Sequence, residues 1–203
     1  MDIFIVIFFS YLSGSIPFGL ILSKIFAKTD IRKIGSGNIG ATNVLRTGNK
    51  FLAAATLLLD ILKGYIPVII TIEYFPALIH LSCLLTFLGH LFPFWLKFNG
   101  GKGVATYLGI LFALSLQLAF LFIFTWIVVT LIFKYSSLSS IFSTLTVFVV
   151  TTIKDTALKS VGLNLNSELD LKLILFIFLI LIIFTHRKNI NKLKNKTEQK
   201  IKI

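Results

Sequence analysis

Six long apolar runs, near residues 3–26, 52–72, 76–96, 105–133, 137–153 and 171–185, decide the solvent in which this chain folds. A run of about 20 apolar residues matches the thickness of bilayer hydrocarbon when it is helical. With 56% hydrophobic and only 14% charged residues, the 203-residue chain has too little polar surface for a water-soluble domain. The alternation of membrane β-barrel strands is absent. The expected fold is all-α: a polytopic helical bundle in which each segment satisfies its own backbone.

Charge orients the bundle. A formal net charge of +12 could point to nucleic acid. Here the cations lie between the apolar runs, as the positive-inside rule requires, so no nucleic-acid partner is expected. Segment 24–50 carries Lys24, Lys28, Arg32, Lys33, Arg46 and Lys50 against Asp30 alone. Loop 97–104 carries Lys97 and Lys102, and the tail 187–203 is strongly basic. These three are expected to be cytoplasmic. The N-terminus, the Glu73 loop and the charge-balanced loop 154–172 are expected outside. Six spans would put both ends on one side. The run 105–133 resolves the conflict, because it exceeds one upright helix at ~1.5 Å per residue across ~30 Å. A break near Ser115-Leu116-Gln117 gives seven spans, with the N-terminus external and the C-terminus cytoplasmic.

The organisation expected is one bundle over 1–186, with cytoplasmic loops 28–50 and 97–104, followed by a basic cytoplasmic tail, 187–203. The opening Met1-Asp2-Ile3 lacks a basic n-region, so the first run is expected to stay as a helix. A single cysteine, Cys83, excludes a disulfide framework and a cysteine metal site. No metal and no cofactor is expected. The tail reads equally as a helix on an anionic leaflet or as a solvated end.

Two clusters carry chemistry. Gly35-Ser36-Gly37-Asn38-Ile39-Gly40-Ala41-Thr42-Asn43-Val44-Leu45-Arg46 contains G-x-G-x-x-G. A dinucleotide fingerprint needs a preceding strand, and here an apolar helix precedes it. What remains is an anion cradle. Glycines let backbone N–H groups converge, Ser36, Asn38, Thr42 and Asn43 add donors, and Arg46 adds a planar fork for phosphate. The second cluster runs from Gly89-His90 to Asn99-Gly100-Gly101-Lys102-Gly103-Val104-Ala105-Thr106. It lacks phosphate-loop spacing, but Gly101, Lys102 and Gly103 open a helix where N–H groups and a cation face the same water layer.

Isolated residues are more ambiguous. His90 could be a ligand, a base or a helix-end hydrogen bonder, with the last favoured; His80 reads as structural. His186 ends the last apolar run, placed either to meet a substrate phosphate or to answer the helix dipole. Asp60 and Lys63, three apart in an apolar run, form either a functional pair or a structural one.

Together these clusters resemble the bacterial acyl-phosphate:glycerol-3-phosphate acyltransferase family of small seven-helix inner-membrane enzymes. The matching pieces, in order, are Ser13-Gly14-Ser15-Ile16-Pro17-Phe18-Gly19, Gly35 to Arg46, Gly89 to Thr106, and His186-x-x-Asn189-Ile190 with Leu193 and Thr197-Glu198. The chain departs from the family pattern at Ile39, where proline is usual, and at Lys192 and Lys196, where arginine and glycine are usual. The resemblance implies acyl transfer from acyl phosphate to the 1-hydroxyl of sn-glycerol 3-phosphate, giving lysophosphatidic acid and phosphate. It implies catalytic roles for Ser36, Arg46, Lys102, His186 and Asn189. Gly35, Gly37, Asn38, Gly40, Thr42, Asn43, His90, Gly101 and Gly103 would bind substrate, with Glu198, Asp60 and Lys63 structural. It further implies no cofactor, a monomer, and possible supply of acyl phosphate by a soluble enzyme.

An acyl phosphate is already activated, so proximity and fixed donors suffice without a covalent nucleophile. The H-x-x-x-x-D dyad of another acyltransferase class is missing, since Leu85, Trp95 and Asn191 stand five residues after the histidines. A substrate phosphate oxygen is therefore the expected base. A phosphate or organic-anion transporter is the rival reading. It is disfavoured because the polar clusters lie at one face and no internal repeat exists.

Overall fold

The computed structural model describes residues 1–160 and 168–201, and every regular element among them is helical. Four helices are individually long and apolar enough to cross a bilayer, at Lys50–Tyr74, Pro76–Leu96, Leu116–Phe133 and Ser136–Thr156. Two further apolar stretches are bent pairs: Asp2–Ser15 with Phe18–Phe26, at 41°, and Leu171–Thr185 with Arg187–Lys194, at 57°. The run 105–133 is interrupted where its length demanded, since one helix ends at Leu114 and the next starts at Leu116. Part of the expected external loop 154–172 lies outside the described residues, and helix extends into it as far as Ser160 and from Glu168.

The chain forms two compact units, Met1–Ser115 and Leu116–Ile203. The first holds α1 (Asp2–Ser15), α2 (Phe18–Phe26), the short α3 (Ala41–Leu45), α4 (Lys50–Tyr74), α5 (Ile79–Leu91) and α6 (Val104–Leu114). Lipid offers no hydrophobic drive between helices, so close backbone approach at small residues must hold them. Two seams do this. A Cβ on Gly14 of α1 would stand 2.0 Å from the Thr86 carbonyl oxygen of α5, and one on Gly89 would stand 2.4 Å from that of Tyr11. Between α4 and α6, Gly64 meets the Thr106 carbonyl at 2.2 Å and Gly109 that of Ile61 at 2.0 Å in the same sense. The Ser10 and Ser82 hydroxyls are 2.8 Å apart in the first seam, and Val68, Cys83, Phe87, Tyr107 and Ile110 are fully buried.

The second unit holds α7 (Leu116–Phe133), α8 (Ser136–Ser160), α9 (Glu168–Thr185) and α10 (Arg187–Lys194). Thr130 donates to Ser139 at 2.7 Å across the α7–α8 turn, and Trp126 to Ser140 at 3.3 Å. Phe148 and Phe176 stack α8 on α9 at 5.5 Å, and Lys172 pairs with Asp155. Serine and threonine hydroxyls along α8, among them Ser140, Ser143, Thr144 and Thr151, bond the carbonyl four residues back, which lets polar residues sit in an apolar helix.

Gly14→Leu is expected to force α1 and α5 apart. Overpacking of this kind costs about 1–3 kcal/mol. It is checked as a lowered melting temperature of the detergent-purified protein.

Candidate functional site

The loop between α2 and α4 folds around its own small core. Ile31, Ile39 and Val44 are buried against Leu20 of α2 and Leu52 and Ala53 of α4. Ile39, the departure from the family's proline, thus holds the turn by burial. The loop sits tight on α2, because a Cβ on Gly19 would lie 2.0 Å from the Ile39 carbonyl oxygen.

Asn43 organises the cradle. It is 1% exposed, and its amide nitrogen donates to the carbonyls of Ile31, Ile34 and Asn38 at 3.0, 3.0 and 2.8 Å. Its Oδ1 accepts from the Ser36 N–H at 3.0 Å and from Arg46 Nη1 at 3.4 Å. Gly35 takes φ +53, and a Cβ there would strike Asn43 Oδ1 at 2.6 Å and Arg46 Cδ at 2.8 Å. Arg46 therefore lies across Gly35 beside Ser36, and both side chains are exposed. Gly37, also exposed, donates its N–H to the Ile34 carbonyl at 2.9 Å. The N–H groups of Ser36 and Gly37, read from sequence as converging on an anion, are thus spent within the loop. The Gly40 carbonyl caps α3 by accepting from Asn43 and Val44, and Thr42 is half-buried in that helix. At the base of the loop Arg32 donates to Asp30 at 2.6 Å, and this guanidinium holds the Asp30 carboxyl well below the usual carboxylate range.

The second loop is built on His90. The imidazole is 4% exposed, with Nδ1 3.1 Å from Thr106 Oγ1. Gly101 lies directly on it, since a Cβ there would stand 2.1 Å from Nε2. Gly100 and Gly101 donate back to the Leu91 and His90 carbonyls at 3.0 and 3.1 Å. Gly103, at φ +84 against the Phe87 ring, starts α6, so Lys102 is carried half-buried at the helix entrance. The two loops meet: Leu96 of the second packs against the core of the first. No signal in the sequence singled out Leu96, because it reads as one more apolar residue beside a span.

Asp60 and Lys63 form a buried ion pair within α4, 2.7 Å apart and each 3% exposed. Lys63 also donates to the Ile16 carbonyl at 2.6 Å.

In the second unit His186 is 2% exposed, and its Nδ1–H donates to the Ile182 carbonyl at 2.8 Å. A carbonyl only accepts, so Nδ1 carries the proton of that bond. Asn189 donates to Glu198 at 2.6 Å, and Ser137 donates to the same oxygen at 3.2 Å. Glu198 reaches them because α10 ends in a Schellman turn, with Lys196 donating to the Leu193 carbonyl at 3.1 Å and Thr197 to that of Lys192 at 2.8 Å. Ile201 then donates to the Lys134 carbonyl at 2.8 Å, so the tail is docked at Ile201 on the α7–α8 turn. Lys196, standing where the family usually has glycine, is held at φ +56.

The family model for glycerol-3-phosphate acyltransferase matches residues 4–196. A glycerol-3-phosphate acyltransferase of Pelagibacter ubique is 53% identical over 203 residues, 100% of both chains. One from Mesorhizobium japonicum is 59% identical over 133 residues, 66% of this chain and 68% of its own. Among solved structures, an integral membrane glycerol 3-phosphate acyltransferase in its glycerol 3-phosphate form has a TM-score of 0.87 at 35% identity, covering 100% of this chain and 96% of that one. A lysophosphatidic acid form matches over the same shares with a TM-score of 0.84 at 34% identity.

Asn43→Asp would turn three donated bonds into oxygen–oxygen contacts, at a cost of about 1–3 kcal/mol for each buried acceptor left without its donor. The expected result is loss of the protein's activity with raised amide exchange across 31–46, read by mass spectrometry. Lys196→Gly should act oppositely. Removing a left-handed side chain is expected to stabilise by about 1 kcal/mol, seen as a higher melting temperature.

Proposed function

This chain belongs to the glycerol-3-phosphate acyltransferase family of integral membrane enzymes, and on that premise we propose that it moves a fatty acyl group from acyl phosphate to the 1-hydroxyl of glycerol 3-phosphate. The observation that carries the reading is the packing of two glycine-rich loops, each bearing a cation, against one another through Leu96. Both substrates carry phosphate, and two adjacent cationic loops suit two anions. Arg46, laid over Gly35 beside Ser36, offers a planar fork. Lys102 stands at the entrance of α6, where the first N–H groups of a helix have no intrahelical acceptor.

The hydroxyl oxygen attacks the acyl carbonyl carbon. The oxyanion collapses, the bond from that carbon to the phosphate oxygen breaks, and inorganic phosphate leaves with lysophosphatidic acid as the other product. A phosphate oxygen of the substrates takes the hydroxyl proton, so Ser36 acts as a donor and not as an acylated nucleophile. Holding both substrates in register supplies most of the acceleration, and fixed donors stabilise the oxyanion. Gly37, Asn38, Gly40 and Thr42 complete the first binding loop, with Asn43 shaping it. Gly101 and Gly103 shape the second, with His90 beneath. His186 and Asn189 are further functional positions, with Glu198 holding Asn189. The bundle crosses a bacterial inner membrane seven times as a monomer, and its basic loops and tail lie on the cytoplasmic side, where a soluble enzyme can supply acyl phosphate.

The test uses purified protein in detergent with palmitoyl phosphate and glycerol 3-phosphate. Equimolar release of phosphate and lysophosphatidic acid is expected, and absence of both overturns the reaction. A covalently acylated protein trapped by rapid quench would overturn direct transfer. Arg46→Ala and Lys102→Ala each remove a charge-assisted contact of about 2–3 kcal/mol, so kcat/KM should fall about 30- to 160-fold with normal membrane insertion.

A further inference from the structure

The first apolar stretch breaks at Ile16-Pro17, between α1 and α2. Helix α1 ends at this break, so its last carbonyls have no following turn to supply donors and take them from elsewhere. Ser15 O is met by the Trp95 indole Nε1–H at 2.7 Å, and Ile16 O, which takes the Phe18 N–H at 3.1 Å, is met on its second lone pair by Lys63 Nζ at 2.6 Å. Asp60 holds Lys63 in place at 2.7 Å, and the ammonium faces the Phe18 ring at 5.6 Å. One turn earlier, the Tyr11 hydroxyl donates to the Phe92 carbonyl at 2.7 Å. Trp95 and Phe92 belong to the second glycine-rich loop. The chain leaving the break is α2, whose Gly19 is seated against Ile39 of the first loop. One backbone break is thus gripped by one loop and α4 while it carries the other loop.

We infer that Lys63, held by Asp60, and Trp95 are positioning residues for acyl transfer: by capping the Ser15 and Ile16 carbonyls they set the first glycine-rich loop in register with the second. The inference rests on the proposed reaction for its kinetic readout. Each loop keeps its internal bonds without these caps, through Asn43 in one and His90 in the other. Loss of a cap therefore disturbs the register of two bound substrates more than the binding of either. A buried ion pair is a poor way to gain stability alone, since apolar residues of equal volume usually serve as well. It is a specific way to hold one carbonyl in one place.

The experiment compares Lys63→Met, Lys63→Arg and Trp95→Phe with the wild type, as full-length protein in detergent. Trp95→Phe keeps an aromatic ring and removes the indole donor, so it serves if Lys63→Met fails to fold. Initial rates are measured with palmitoyl phosphate and glycerol 3-phosphate, and amide exchange is followed over the whole chain. Misregister should lower kcat about tenfold in Lys63→Met and about threefold in Trp95→Phe, with either KM changed less than about threefold. Lys63→Arg restores most of the rate, and exchange rises in 31–46 and 97–103 but not through α4, α5 and α6. Unchanged kcat with unchanged loop exchange overturns the inference, as does exchange raised equally along those helices. A wild type that forms no lysophosphatidic acid defeats the proposed reaction instead, and the loop exchange still decides the positioning role.

Discussion

An unpaired backbone carbonyl in hydrocarbon costs several kcal/mol, and the first unit is organised around one place where the chain creates such carbonyls. Pro17 ends α1, and the Ser15 and Ile16 carbonyls accept from groups drawn from two other parts of the unit, Ile16 in addition to the local Phe18 N–H. Lys63 comes from the middle of α4, and Trp95 comes from the loop that follows α5. The requirement to satisfy two oxygens thereby fixes how two loops stand to each other. An uninterrupted first helix would need neither contact and would carry the Gly35–Arg46 loop in another direction.

Around that junction the helices are held by contact of backbone on backbone. Gly14 against Thr86, Gly89 against Tyr11, Gly64 against Thr106 and Gly109 against Ile61 leave no room for a side chain. Such seams are stiff, because the distance between helices is set by the main chain and not by adaptable side chains. Stiffness suits the chemistry. Transfer between two bound phosphates depends on geometry held before the reaction begins, with fixed donors in place of a strong nucleophile.

The polar residues of the loops divide their labour. Asn43 and His90 are nearly inaccessible, and their bonds run to other groups of the protein. Ser36 and Arg46 face outward from the frame that Asn43 builds, and Lys102 is half-buried on the frame that His90 supports. In the second unit the same division recurs, since Glu198 is tied to Asn189 and Ser137 while a Schellman turn delivers it there. The lysine in that turn keeps the backbone shape of a glycine at a cost in strain, which shows that the shape matters more than the residue.

The amino-acid order alone determined the solvent, the helical class, the break in the run 105–133 and the two loops bearing Arg46 and Lys102, because each follows from local quantities. Run length against bilayer thickness, charge between runs and glycine spacing all lie within a few residues of one another. Only the tertiary structure decided that Asn43 faces inward, that Leu96 joins the loops, and that Lys63 serves Ile16 as well as Asp60. Those facts depend on partners far apart in the chain, as between Ile16 and Lys63, separated by 47 residues. A side chain's hydrogen-bonding capacity is written in its type. Which oxygen it reaches is settled only when distant segments are packed, because the donor goes to the acceptor that would otherwise be left unpaired.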